Sequence, residues 1–169
     1  MATPRCWLLK TEPEVFSFAE LLAAPERTTV WDGVRNYQAR NFLREMRRGD
    51  PVLIYHSNTR AKGVVGLATV VREAFPDPTQ FDPESPYVDP KATPEAPRWV
   101  AVAVRARCAL PLPVSLQTLK THPELQGLPL VRRGNRLSVM PVGAAELEVI
   151  LKLAGVTDVN HALAERTPA

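Results

Sequence analysis

The stretch Trp31-Asp32-Gly33-Val34-Arg35-Asn36-Tyr37-Gln38-Ala39-Arg40-Asn41 gathers side chains that can grip a flat ligand with a hydrogen-bonding edge. Behind its tryptophan stand two arginines, three side-chain amides and a tyrosine. A turn leading into a helix needs few of these groups, whereas a nucleobase site needs all of them. Stacking a base on an aromatic ring contributes about 1–3 kcal/mol, with little regard to which base it is. Amides and hydroxyls then discriminate by matching the donors and acceptors of the base edge. Trp31, Tyr37 and Tyr55 are the candidate faces, and Asn36, Gln38, Ser57 and Ser138 the candidate edge readers. Taken singly, Trp31 and Tyr55 also fit core aromatics and Asn36 fits a helix cap. Their clustering favours a site, with residues 31–41 expected opposite Tyr55-His56-Ser57.

Other groups fit around that chemistry. Lys10 and Glu12 follow an apolar run, either as a solvated pair of little energetic weight or as a cation for a ligand oxygen with a carboxylate to orient it. Arg132, Arg133 and Arg136 form a basic turn, equally readable as solvated or as a backbone-phosphate contact. Arg35 and Arg40 are further candidate phosphate contacts. No metal is expected, because His56, His122 and His161 are far apart and no Cys-x-x-Cys or His-x-x-x-His spacing occurs. No cofactor is expected either, since phosphate-cradling glycine loops and nucleophile elbows are absent. Cys6 and Cys108 both lie in apolar runs and read as free buried thiols rather than a disulfide or a thiol–imidazole pair.

The elements that must position these residues follow from periodicity. Cys6–Lys10 reads as a first strand, ended by Pro13. Ser17 and Glu20 form a capping box for a helix through Leu22, stopped by Pro25. Thr28–Trp31 is a brief extended piece. A helix runs from near Asn36 to Met46, buries Ala39, Phe42, Leu43 and Met46, and ends at Gly49. Strands are expected over 52–56 and 63–73, the latter with a bulge at Gly66. Residues 75–97 carry seven prolines and read as an ordered surface loop pinned by Phe81, Tyr87 and Val88. A central strand over 99–108, a helix over 116–122, a last strand over 137–140 broken by Pro141, and a closing helix over 144–154 complete the chain. The tail after Val159 is expected to be poorly ordered. About five strands and four short helices without βαβ alternation predict an α+β fold, a small, mostly antiparallel barrel with helices over its openings.

At 169 residues the chain suits a single domain over 1–169, with its core at about 6–155. No apolar run nears the roughly 20 residues of a membrane helix, and Met1–Arg5 lack the order of a signal peptide. A cytoplasmic monomer with no membrane contact is expected. The net charge of +3 is uneven: residues 74–97 carry −4, which leaves +7 elsewhere. That excess suits a polyanion, and equally a surface kept basic for solubility.

Four blocks resemble a known family: residues 7–13, residues 31–41, Gly49-Asp50 with Tyr55-His56-Ser57, and residues 136–142 are similar to the EVE domain, of the PUA-like superfamily. The resemblance spans about Trp7 to Ala154. It implies a PUA-like β-barrel with flanking helices and no catalytic activity. It also implies a pocket for a flipped nucleobase, with modified cytosine in DNA or other modified bases in DNA or RNA as ligands. The pocket residues it implies are Lys10, Thr11, Glu12, Trp31, Asn36, Tyr37, Tyr55, His56, Ser57 and Ser138. Thr11 stands where serine is common, and Ala103 where aspartate is frequent. The leading reading is a non-catalytic reader of a modified base. An enzyme using Glu12 or His56 on a nucleotide or RNA base, and an adaptor with a vestigial pocket, are the alternatives.

Overall fold

The computed structural model describes residues 5–164. Met1–Pro4, most of the segment read for a signal peptide, and the last five residues of the tail lie outside that range. Six strands form one sheet: β1 (Cys6–Thr11), β2 (Thr28–Trp31), β3 (Pro51–His56), β4 (Gly63–Pro76), β5 (Val100–Ser115) and β6 (Val139–Val142). Their order is β2-β5-β4-β3-β1-β6. Only β1 and β3 run parallel; the other neighbours are antiparallel. The α+β class and the antiparallel bias follow expectation. The barrel does not: β2 and β6 are the sheet's two ends and do not pair among the described residues.

Alternation along β1 explains why the sheet has a core on each face. Cys6 and Leu8 enter one apolar cluster, and Trp7 and Leu9 enter another. The first is covered by α3 (Leu116–Thr121) and α4 (Ala144–Leu153), through Leu119, Leu147, Ile150 and Leu151. The second is covered by α1 (Phe18–Ala23) and α2 (Tyr37–Glu45), through Phe18, Leu21, Ala39 and Leu43. The capping box at Ser17 and Glu20 is present, and Asn36 caps α2 by accepting from Ala39 N–H at 2.9 Å. Gly66 brings α1 close to the sheet, because a Cβ there would lie 2.4 Å from the Phe18 ring. The bulge falls beside it, where Ile54 pairs with Gly66 and Tyr55 with Val64.

Several local expectations need correction. Helix α2 ends at a Met46 cap, and Gly49 (φ 93) instead serves the turn into β3. Strand β6 runs through Pro141, which an end strand tolerates because its missing N–H faces no neighbour. Strand β5 continues to Ser115, since Pro111 and Pro113 fall in the unpaired stretch between Ala109 and Val114. The tail after Val159 begins with a fifth helix, α5 (Val159–Leu163), capped by Asp158. The proline-rich loop is pinned largely by polar groups; Tyr87, though part-exposed, does pack its ring against Gly33, whereas Val88 is exposed and Phe81 is half-buried. Fully buried Gln80 donates to the carbonyls of Asp77 and Trp99 and accepts from the N–H groups of Arg98 and Trp99, closing the loop at its neck.

Candidate nucleic-acid interface

A cleft of about 650 Å³ opens where β1, β2 and the turn after Trp31 meet. Its aromatic wall is Trp31 with Phe16, packed edge to face at 6.3 Å and 82°. Of the six exposed large apolar or aromatic side chains among the described residues, three, Val15, Val30 and Tyr87, line this cleft, so exposed apolar surface is concentrated there.

The polar groups come from several elements. Lys10 and Thr11 end β1, and Ser138 precedes β6; Lys10 N–H donates to Ser138 C=O at 2.9 Å, holding the two rims together. Burial pushes the Lys10 ammonium below the usual lysine value, so a ligand oxygen there would be welcome. Thr11 Oγ1 donates to Phe16 C=O at 2.6 Å and leaves its lone pairs toward other donors. Asn36 caps α2 with its oxygen, which leaves its amide N–H donors for a ligand. Asp32 and exposed Glu12 add two carboxylates. Burial, and then the nearby Asp77 carboxylate, raise the Asp32 carboxyl above the usual range. A carboxylate of this kind can accept from an exocyclic base amine.

The floor is braced from beneath by Asp77, which is fully buried. It accepts from Gly33 N–H at 2.9 Å, from Arg35 Nη1 at 3.0 Å, and from Thr79 N–H and Oγ1. Burial works to raise its carboxyl, but the bonds from Thr79, Gly33 and Arg35 prevail and hold it below the ordinary carboxylate range. Gly33 has φ 80, and a Cβ there would sit 2.8 Å from the Tyr87 ring. Only glycine fits both the backbone and the contact.

Of the residues expected to form the pocket, Lys10, Thr11, Glu12, Trp31, Asn36 and Ser138 line the cleft, and Tyr37, Tyr55, His56 and Ser57 do not. Tyr55 belongs to the core on the face opposite Trp31, so no slot exists between the two rings. Its side chain approaches Lys10 instead, with Nζ 5.8 Å from the ring centre. His56 Nε2 accepts from Phe18 N–H at 3.1 Å, and burial holds its imidazole below the usual histidine value. It therefore serves as a neutral support for α1. Ser57 N–H extends the β1–β3 pairing by donating to Thr11 C=O. Tyr37 stacks on Trp99 at 4.9 Å and 24°, beside the cleft, with the Arg40 guanidinium 4.7 Å from its ring.

The expected phosphate contacts also divide. The five N–H donors of Arg35 are all engaged within the chain, by the carbonyls of Val34 and Tyr87, by Asp77 and by Thr79. Arg35 is thus a brace and not a phosphate ligand. Arg40 is partly engaged, by Arg98 C=O and by Asn41. Arg133 and Arg136 are exposed and make no ion pair among the described residues. Both cysteines are free. Among the described residues no group of three or more His, Cys, Asp or Glu could hold a metal, and no helix is long and apolar enough to cross a membrane. Ala103 pairs with Val30 across β2 and β5 and does not line the cleft.

Sequence reasoning missed Phe16, Asp32 and Asp77, and read Tyr87 only as an anchor of the proline-rich loop. Asp32 lay inside the quoted stretch and Phe16 just before the capping box. Asp77 and Tyr87 act across 44 and 54 positions, where no local pattern points to Gly33.

Comparison with known proteins places the chain among relatives of the same overall fold. Thymocyte nuclear protein 1 of Mus musculus is 41% identical over 164 residues, covering 87% of this chain and 72% of that protein. A crystal structure of a Pseudomonas syringae protein aligns with TM-score 0.85 at 45% identity, over 88% of this chain and 99% of the other. Human THYN1 protein in complex with 5-methylcytosine-containing DNA aligns with TM-score 0.82 at 39% identity, over 89% and 97%. The YTH domain of Zygosaccharomyces rouxii MRB1 aligns with TM-score 0.50 at 16% identity over 89% and 86%, a likeness of fold alone. The EVE domain profile matches residues 5–153, and the chain belongs to this family.

Proposed function

We propose that the chain reads a modified nucleobase flipped out of a DNA or RNA strand, on a PUA-like scaffold, as a cytoplasmic monomer. The observation that carries this reading is the cleft itself: an apolar mouth and a Trp31 wall beside polar groups with hydrogen-bonding capacity to spare. The base lies against Trp31. Asn36, Ser138, Lys10 and Asp32 meet its edge, and a methyl group on the base contacts Val15 or Phe16. Outside the cleft, Tyr37 is 51% exposed on its Trp99 and Arg40 support. It offers a second face to the neighbouring nucleotide. The related human protein, whose structure contains 5-methylcytosine DNA, supports modified cytosine as the first ligand to try.

The test is titration of labelled oligonucleotides, DNA and RNA, with and without one 5-methylcytosine. The expected result is tighter binding of the modified strand, with Trp31→Ala erasing the difference. Trp31→Phe keeps a stacking face and should retain part of it. Equal binding of modified and plain strands by the wild-type protein, across several modified bases, would refute the reading.

A further inference from the structure

A second cavity, of about 590 Å³, opens near the opposite end of β2. Three guanidinium groups, those of Arg27, Arg105 and Arg107, line it. Arg107 donates to Thr69 Oγ1 at 3.2 Å and to the carbonyls of Leu163 and Ala164, fastening α5 to the sheet. The guanidinium groups of Arg27 and Arg105 make no hydrogen bond or ion pair among the described residues. Asp158 is the single carboxylate on the wall among those residues, and it is occupied in capping α5 through His161 N–H. The wall is therefore net positive. Ala106, Pro111 and Val156 supply its apolar part.

The backbone fixes the point from which the exposed Arg27 side chain leaves the chain. Glu26 (φ 54) and Arg27 (φ 55) both adopt the left-handed conformation, which is unfavourable for residues with a Cβ. Two such residues in succession persist only where the surroundings dictate them, and strain of this kind gathers at ligand sites. The next residue, Thr28, already pairs with Arg105 across β2 and β5, so the turn sets Arg27 beside Arg105.

We propose that this cavity binds a backbone phosphate of the strand whose base occupies the cleft, with Arg27 and Arg105 as its ligands. The proposal rests on the base-reading function above. Two open guanidinium forks match the geometry of a phosphate. The spacing suits one strand passing around the free edge of β2. Arg27 immediately precedes β2 and Trp31 ends it, four residues on, about 13 Å along the strand at about 3.3 Å per residue, with Arg105 on the sheet face opposite Trp31. The path therefore takes at least about four nucleotides of a stacked strand at about 3.4 Å each.

Arg27→Gly, Arg105→Gln and the double variant test this, with binding measured against salt concentration. Glycine suits the left-handed position, so the first variant should keep the fold, and melting curves verify all three. Each substitution is expected to weaken plain and 5-methylcytosine strands by the same factor, about tenfold at low salt, and to lower the salt slope by about 1. The loss should appear with eight nucleotides on each side of the modified base and vanish with two. In the unmutated protein the Arg105 Nε–H resonance should shift with the long strand and not with the short one. Unchanged affinity in the double variant overturns the proposal. So does an equal loss with short and long strands, which would indicate an isolated anion site. Should the wild type show no modified-base preference while the variants still lose affinity for long strands, the base reading fails and the phosphate site stands.

Discussion

Asp77 shows how one side chain can hold a site that it does not line. It joins Gly33 on the cleft floor to Thr79 in the proline-rich loop, and it holds Arg35. Asp77→Ala would leave the Arg35 guanidinium and the Gly33 N–H without their acceptor. Losing one partner of a buried pair gives a destabilisation of about 3 kcal/mol, to be measured by urea unfolding. The carboxyl titrates lower when folded than when unfolded, so its contribution is complete above about pH 4 and fades as pH falls through the folded value. His56 has the opposite charge type and the same direction. Its imidazole is held below the usual histidine value, so the unfolded chain binds the proton more readily and stability falls as pH drops below about 6.5. His56→Phe should flatten that slope in unfolding measured between about pH 5 and 7, and should destabilise by about 1–2 kcal/mol through the orphaned Phe18 N–H. An unchanged slope would show that other groups carry it.

At the scale of elements, the seating of α1 on the sheet depends on Gly66. The Phe18 ring lies where a side chain at 66 would begin, so Gly66→Ala must push α1 and its neighbour Phe16 outward. We expect a loss of about 1–3 kcal/mol on thermal unfolding, together with weaker oligonucleotide binding because Phe16 packs on Trp31. Elements of this kind were legible wherever the information was local. The capping box at Ser17 and the apolar face of α2 could be read directly, because each depends on residues within about one or two helical turns. Tyr55 was misplaced for a different reason. Its strand was identified correctly, but strand alternation alone does not say which of two buried faces meets Trp31, and the chain buries both. The reach of β5 to Ser115 was hidden because prolines ordinarily end strands, and here they fall in an unpaired stretch.

For the molecule as a whole, charge divides the surface into a basic majority and an acidic loop. Arg133 and Arg136, exposed and without ion pairs among the described residues, belong to the basic part. Replacing either with alanine should weaken all oligonucleotides alike and reduce the salt slope by about 1, leaving the preference for a modified base unchanged. A change in that preference, seen in competition binding, would instead place the arginine at the base. The family assignment was legible in four sequence blocks, whereas the bracing by Asp77 and Tyr87 emerged only from packing over long separations.

The position of β1 between β3 and β6 also bears on when the protein becomes competent. Ser138 is joined to Lys10 just before the last strand, so a chain still on the ribosome, with residues up to β5 emerged, owns the Trp31 wall but lacks the opposite rim. Ligand capture must therefore await the emergence of residue 138, and a message truncated before that residue would yield a polypeptide with an aromatic surface and no receptor.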